Sequence, residues 1–143
     1  MMSSFPFLVA LLAGAVAQAI KLTLAVRHAG TFTRRTLFSL PGMPSTWSAV
    51  CTALCTLIGC REGGASHVFA AAVAFSSIVL YDSLGLRRSA GRQARLLNLI
   101  AHEMRRHKTV RAERHLRELF GDTPAQVLGG IGVGLAVALP WVW

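Results

Sequence analysis

Apolar positions dominate four windows of the chain, and polar positions collect between them. Residues 5–26 form a 22-residue stretch whose one charge, Lys21, stands near its end. Residues 44–60 make 17 without a charge, residues 63–81 make 19 with no charge and one histidine, His67, and residues 123–143 make 21 without a charge. A bilayer-spanning helix needs roughly 17–25 mostly apolar residues, so the pattern predicts four spans in a single membrane domain, residues 1–143. The second and third windows are the shortest and are rich in Ala, Ser and Thr, whose small side chains suit helices packed closely against other helices. Between the third and fourth windows, residues 87–117 contain no proline and one glycine, Gly91. Leu96, Leu97, Ile100, Met104 and Val110 recur there at roughly helical spacing, with Arg88, Arg92 and Arg95 on another face. The predicted fold is therefore all-α: an integral membrane four-helix bundle with an amphipathic basic helix between helices three and four.

Composition sharpens this picture by showing charge and apolarity to be segregated. The chain has 143 residues, 53% hydrophobic and 15% charged, with 15 Lys+Arg against 6 Asp+Glu and a formal charge of +9. A soluble domain carries about 25% charged residues; a disordered polar tail is excluded, and three cysteines do not make a disulfide scaffold. The first window lacks the basic flank of a signal peptide, and residues 1–20 lack the arginines of a mitochondrial presequence, so the first helix is expected to persist in the mature protein. Ten of the 15 basic residues lie in residues 87–117, four more (Lys21, Arg27, Arg34, Arg35) follow or end the first span, and Arg61 alone lies on the other side. The positive-inside rule then puts both termini outside and both basic loops toward the cytosol or the matrix, in a bacterial or a mitochondrial inner membrane.

The basic helix suits anionic lipid headgroups at a membrane surface. Docking onto an acidic partner protein is a second reading. Nucleic acid is not expected as a partner, because no aromatic residue interrupts the run to stack on bases.

This topology gathers polar residues at the basic face. Lys21 ends span one; Gly42, Pro44, Ser45 and Ser48 open span two; Asp82, Arg87 and Arg88 leave span three; Asp122 and Gln126 enter span four. Ser45 or Thr46, and Asp122 or Thr123 ahead of Pro124, are candidate helix caps. Two helix starts beside Lys and Arg make an environment that suits phosphate; caps, snorkelling cations and an Asp82–Arg ion pair are the structural alternative. Cys51 and Cys55 share a helical face but fall short of a metal ligand set. No metal and no cofactor is expected. Gly130 and Gly134 form a GxxxG pair suited to close helix contact, and Trp141 and Trp143 an outer aromatic anchor.

At these same residues the sequence resembles a known family. Gly-Met-Pro-Ser-Thr-Trp-Ser-Ala at 42–49, Tyr-Asp-Ser-Leu-Gly-Leu-Arg-Arg-Ser-Ala-Gly-Arg-Gln-Ala at 81–94 with Leu97-Asn98, Leu-Phe-Gly-Asp-Thr-Pro-Ala-Gln-Val at 119–127, and the Gln-x-x-Lys ending at Lys21 carry the likeness. They resemble the divergent branch of the type-2 phosphatidic acid phosphatase superfamily, the acid phosphatase/vanadium-dependent haloperoxidase-related membrane proteins. The resemblance implies a phosphate site in which a Pro-Ser motif, Lys and Arg hold the phosphate, one histidine acts as acid and a second, oriented by a carboxylate, attacks phosphorus. On that pattern Lys21, Ser45, Arg87 and Arg88 are the expected phosphate or headgroup contacts. The chain departs at both histidines, with Trp47 at the first and Asp122 at the second, and with Gln126 at the carboxylate position. Indole only donates a hydrogen bond, so Trp47 cannot protonate a leaving oxygen.

The expectation is a catalytically silent phosphatase-like protein. It would serve as a structural or accessory subunit of a membrane complex and bind anionic phospholipid, with other membrane subunits as partners. The alternative is a lipid-phosphate phosphatase or phosphotransferase using Asp122 as nucleophile.

Overall fold

The computed structural model describes residues 6–29, 42–106 and 121–142. The elements are α1 (Pro6–Ala29), α2 (Thr46–Glu62), α3 (His67–Tyr81), a π-helical turn (Asp82–Leu86), α4 (Arg87–Arg106), α5 (Pro124–Ala138) and a closing 3-10 turn (Leu139–Trp141). No strand occurs among the described residues.

Helix α2 is the centre of the packing: α1, α3 and α5 each lie against it, and α1 also touches α5. The contact faces are built from small residues. Helix α1 turns Ala10, Ala13 and Ala17 inward, α2 buries Ser48, Ala49, Cys51, Ala53 and Leu57, and α5 buries Val127, Gly130, Gly134 and Ala138. The large apolar side chains point the other way: Phe7, Leu8, Leu11, Leu12, Val68, Phe75, Ile78 and Leu128 are exposed. A soluble bundle buries its large residues. Small residues inside and large ones outside is the arrangement of helices that associate within lipid.

Three helical stretches are long and apolar enough to cross a membrane: Pro6–Arg27, His67–Met104 and Pro124–Trp141. Helix α2 has 17 residues, about 26 Å at 1.5 Å per residue, and falls short of that class by length. The fold is thus all-helical with three candidate spans grouped around a shorter central helix.

The turn from α2 into α3 shows why two short windows read as separate elements. Gly63 caps α2 at φ +84, a left-handed region that favours glycine. Three residues on, the Ser66 hydroxyl accepts the Phe69 amide at 3.1 Å and starts α3.

At the other end of α3 the expected break is absent. Helix α3, the π-turn and α4 contain 15, 5 and 20 residues and run on without interruption. This continuous rod is about 60 Å long, twice the roughly 30 Å of a hydrocarbon core. The basic helix is therefore an extension of the third span rather than a separate surface element. Its first part, to Arg106, is described here; the expectation for residues 107–117, including Val110, lies outside the described residues, as does Trp143.

Candidate functional site

The basic end of the bundle is where α1 finishes, α2 and α5 begin and α3 passes into the π-turn. Local sequence fixes each of these ends. Ser45 is the N-cap of α2, its hydroxyl accepting the Ser48 amide at 3.4 Å. Thr123 is the N-cap of α5, with Pro124 in the first turn, and it forms a reciprocal capping box with Gln126. The Gln126 Oε1 accepts the Thr123 amide at 2.8 Å and the Thr123 Oγ1 accepts the Gln126 amide at 3.4 Å. Of the two candidate caps at each helix start, Ser45 and Thr123 are used.

Asp122 is thereby released from capping and becomes the hub. Its Oδ2 accepts hydrogen bonds from the Ser45 and Ser83 hydroxyls, each at 2.6 Å. That is the short range of hydroxyl-to-carboxylate bonds. Its backbone amide donates to the Ser83 carbonyl at 3.0 Å. One carboxylate oxygen therefore joins the start of α2, the π-turn and the approach to α5. Gly121 makes this approach possible, since a Cβ there would lie 2.5 Å from the Arg88 backbone nitrogen.

Further bonds draw the same ends together. The Ser45 amide donates to the Gln126 carbonyl at 2.9 Å and the Ser48 hydroxyl to the Val127 carbonyl at 2.9 Å, tying α2 to α5. The Thr46 hydroxyl donates to Gln18 Oε1 at 2.8 Å, tying α2 to α1. Lys21 is nine-tenths buried, with Gly42 against its stem, and its charge acts on Asp122.

Arg87 and Arg88 lie outside this polar knot. The Arg87 Nε donates to Asp82 Oδ2 at 2.7 Å with both side chains substantially exposed, the ion pair named above as the structural alternative. The Arg87 guanidinium also lies 6.0 Å from the centroid of the Trp47 ring, at the outer limit of a cation–π contact. Trp47 itself is 51% exposed, so this indole faces outward rather than into the knot. Arg88 is exposed.

Lys21, Ser45, Asp122 and Gln126 are thus brought together as the topology required, with Asp82, Arg87 and Trp47 forming an adjacent, more exposed patch. Ser83 is a participant the sequence reasoning passed over; Thr46 was read only as a candidate cap and Gln18 only as part of the Gln-x-x-Lys likeness, and together they tie α2 to α1. Ser83 was detectable in principle, standing next to Asp82 in the block Asp-Ser-Leu-Gly where the third apolar window ends.

Elsewhere, Cys55 Sγ and Ser76 Oγ are 3.2 Å apart across α2 and α3, and Cys51, Cys55 and Cys60 are free thiols. No group of three His, Cys, Asp or Glu side chains able to hold a metal occurs among the described residues. The GxxxG pair finds its partner within the chain. A Cβ on Gly130 would collide with Ser48 Oγ and the Ser45 carbonyl, and one on Gly134 would lie 2.6 Å from the Ala49 carbonyl oxygen.

Small residues inside, large apolar residues outside and a polar knot at a basic end define a helical membrane protein. Comparison with known proteins places it more narrowly: the profile of the divergent PAP2 family matches residues 2–137. The chain is 32% identical over 149 aligned positions to the uncharacterized membrane protein YuiD of Bacillus subtilis (strain 168), covering 97% of this chain and 94% of that protein. The chain belongs to the divergent PAP2 family. No solved structure matches it significantly.

Proposed function

We propose that this protein is a catalytically silent member of its family, a structural or accessory component of a membrane assembly that holds anionic phospholipid headgroups at its basic end. The observation that carries the first half is the fate of Asp122. A nucleophile needs an unencumbered lone pair aimed at phosphorus, whereas Asp122 Oδ2 takes two short hydrogen bonds from Ser45 and Ser83. Trp47, at the position where the family resemblance calls for an acid, has no proton to give to a leaving oxygen at neutral pH and points outward. Lys21 and Ser45 then serve the knot, and contact with headgroup phosphate passes to the exposed arginines.

In this reading α2 crosses the bilayer together with α1, α3 and α5, giving four spans. Its short length is tolerable because it is surrounded by protein. The basic end faces the cytosol or matrix, following the positive-inside rule. Helix α4 exposes Leu96, Leu97, Ile100 and Met104 beside Arg88 and Arg92, a pairing of apolar and cationic surface that suits an anionic leaflet.

Two measurements test the proposal. Purified protein incubated with a phosphatidic acid should release no phosphate above the level of the Asp122→Ala variant; release by the wild type that this variant abolishes would establish the nucleophile reading instead. Delipidated protein titrated with phosphatidylglycerol should bind it more tightly than phosphatidylcholine. The double substitution Arg88→Gln, Arg92→Gln should weaken phosphatidylglycerol binding roughly thirtyfold at about 1 kcal/mol per basic residue. The difference should shrink as salt rises from about 0.1 M to about 1 M, where the Debye length falls to about 3 Å. Equal binding by both proteins at low salt refutes the headgroup role.

A further inference from the structure

Helix α4 carries large apolar side chains to a level that lipid does not reach. Together α3 and the π-turn, 15 and 5 residues, rise about 30 Å and use up the hydrocarbon core. The unbroken rod then takes Leu97 about 16 Å and Met104 about 27 Å past Leu86, beyond a headgroup layer of about 5–8 Å. Arg88 and Arg92, in the first turns of α4, remain beside that layer. Leu86, Leu97, Ile100 and Met104 are all exposed, and among the described elements α4 packs chiefly on the π-turn. Their spacing is that of a seam. Leu86, Ala90, Gln93, Leu97, Ile100 and Met104 follow one another in alternate steps of four and three residues. These are the d and a positions of successive heptads, with Gln93 the one polar member, and such a repeat lays one helix against another along its length.

Charge is kept off the flanks of this seam. The neighbouring g and e positions are Ser89, Ala94, Leu96 and Ala101, with Arg87, paired to Asp82, at one end and Glu103 at the other. Arg88, Arg92 and Arg95 fall at the f and c positions, on the outer side. An acidic partner helix would be met by arginines at the flanks, where coiled coils choose their partners. Uncharged flanks instead let an identical basic helix approach without like charges meeting. We infer that α4 is a self-association helix, pairing in parallel and in register with α4 of a second copy through Leu97, Ile100 and Met104. The membrane fixes that arrangement. Copies inserted with one orientation share an axis along the membrane normal, so their rods run parallel and each seam residue meets its own counterpart. The rod is open to a neighbour because α3 lies at the edge of the bundle, chiefly against α2. Confinement to one bilayer raises the effective concentration of the rods and removes part of the orientational cost of pairing. Leucine at an a position with isoleucine at d favours more than two strands, so the same seam admits further copies. The pairing goes beyond the headgroup proposal and stands whether or not the site at the base of the rod is silent.

The test uses the full chain in vesicles of phosphatidylglycerol and phosphatidylcholine, with oxidative cross-linking read as dimer on a non-reducing gel. Ile100→Cys, on the seam, should cross-link about tenfold or more above the wild type, whose own thiols set the background. Arg95→Cys, on the outer side, should stay at that background. Leu97 and Leu99 then separate a seam from general stickiness. They stand two residues apart and are 52% and 61% exposed, yet Leu97 lies on the seam and Leu99 off it, at a c position. Added to Ile100→Cys, Leu97→Glu should reduce the cross-link about tenfold or more, since each copy sets a carboxylate against its counterpart and loses a buried leucine. Leu99→Glu should leave it unchanged, and both proteins should keep the helical circular dichroism of the wild type.

Cross-linking of Ile100→Cys no stronger than that of Arg95→Cys overturns the inference, and this near-isosteric change does not depend on how a glutamate is tolerated. Equal loss from Leu97→Glu and Leu99→Glu overturns it as well. Absence of the Ile100→Cys dimer together with weaker vesicle binding by Leu97→Glu assigns the seam to the leaflet. Absence of the dimer with a disulfide to a different, acidic chain assigns it to a partner protein. Arg88 and Arg92 lie off the seam, so headgroup binding and self-association fail independently of each other.

Discussion

Gly130→Val should prevent the bundle from assembling, whereas Gly132→Val, the same change two residues away, should leave it intact. A Cβ at position 130 would overlap Ser48 Oγ and the Ser45 carbonyl oxygen, while nothing lies within 4 Å of one at position 132. The atoms in the way cannot yield cheaply. The Ser45 carbonyl accepts the Ala49 amide at 3.2 Å in the first turn of α2, and Ser48 Oγ donates to the Val127 carbonyl at 2.9 Å. Room for a side chain must therefore come from moving α5 bodily away from α2. That movement breaks the bond from Ser45 N to Gln126 O and pulls Asp122 from the serines. Overpacking of a well-fitted contact costs about 1–3 kcal/mol or more, and here loss of the polar knot adds to it. Thermal unfolding followed by helical circular dichroism in detergent should show Gly130→Val unfolded or melting far below the wild type. Gly132→Val should melt at or slightly above the wild type, since valine is the better helix former. Equal melting of the two variants would mean that α5 does not pack on α2 through Gly130.

That contrast also shows how far the sequence could be read. A GxxxG pair announces close helix contact but not the partner, and Gly129 and Gly132 crowd the same stretch. Only the contact with Ser45, Ser48 and Ala49 identifies α2 as the partner. The apolar windows at residues 5–26 and 123–143 were legible because length and hydropathy suffice for a span. Helix α2 was visible as a window but not as the centre of the fold. Nothing local in Ala49, Ala53 and Leu57 says that three helices converge there. The third window ends at Tyr81 because Asp82 is charged, and the basic helix is read as a separate element from residue 87. In the fold a π-turn joins the two, and the helix continues for 20 more residues.

The site was legible as a place before it was legible as an arrangement. Alternating spans must bring Lys21, Ser45, Asp82 and Asp122 to one end, and they do. What pattern alone could not decide was which carboxylate takes which partner. Asp82 and Asp122 both stand near arginines and serines in the sequence. Arg87 pairs with Asp82 because five residues of π-turn bring its Nε to 2.7 Å. Asp122 takes Ser83, 39 positions away, because Gly121 lets its segment press against the Arg88 backbone. Such a choice depends on a close backbone approach, which leaves only an unremarkable glycine as its trace.

Lys21→Met should destabilise the protein by about 1–2 kcal/mol, well below the range of about 3–5 for breaking a fully buried pair, since among the described residues no ion pair within 4.0 Å joins Lys21 to Asp122. The discount also reflects Asp122, which is only half-buried and keeps its two hydroxyls. Methionine matches the apolar stem of lysine, so packing against Gly42 is preserved and charge is the main thing lost. The carboxylate then remains in a low-dielectric site without the cation that opposes it, which is why removal of one partner is costly. Converting Asp122 to Asn in the same chain should recover most of the loss, because a neutral amide oxygen still accepts from Ser45 and Ser83 and no unbalanced charge remains. The four proteins of this cycle, compared by thermal unfolding in one detergent, give the coupling directly. If the two single changes simply add, Lys21 and Asp122 are neighbours without energetic consequence, and the balance of charge at this end of the bundle must come from the arginines outside it. A double variant close to wild-type stability instead makes Lys21 the buried counter-charge that permits a carboxylate to stand among the helix ends.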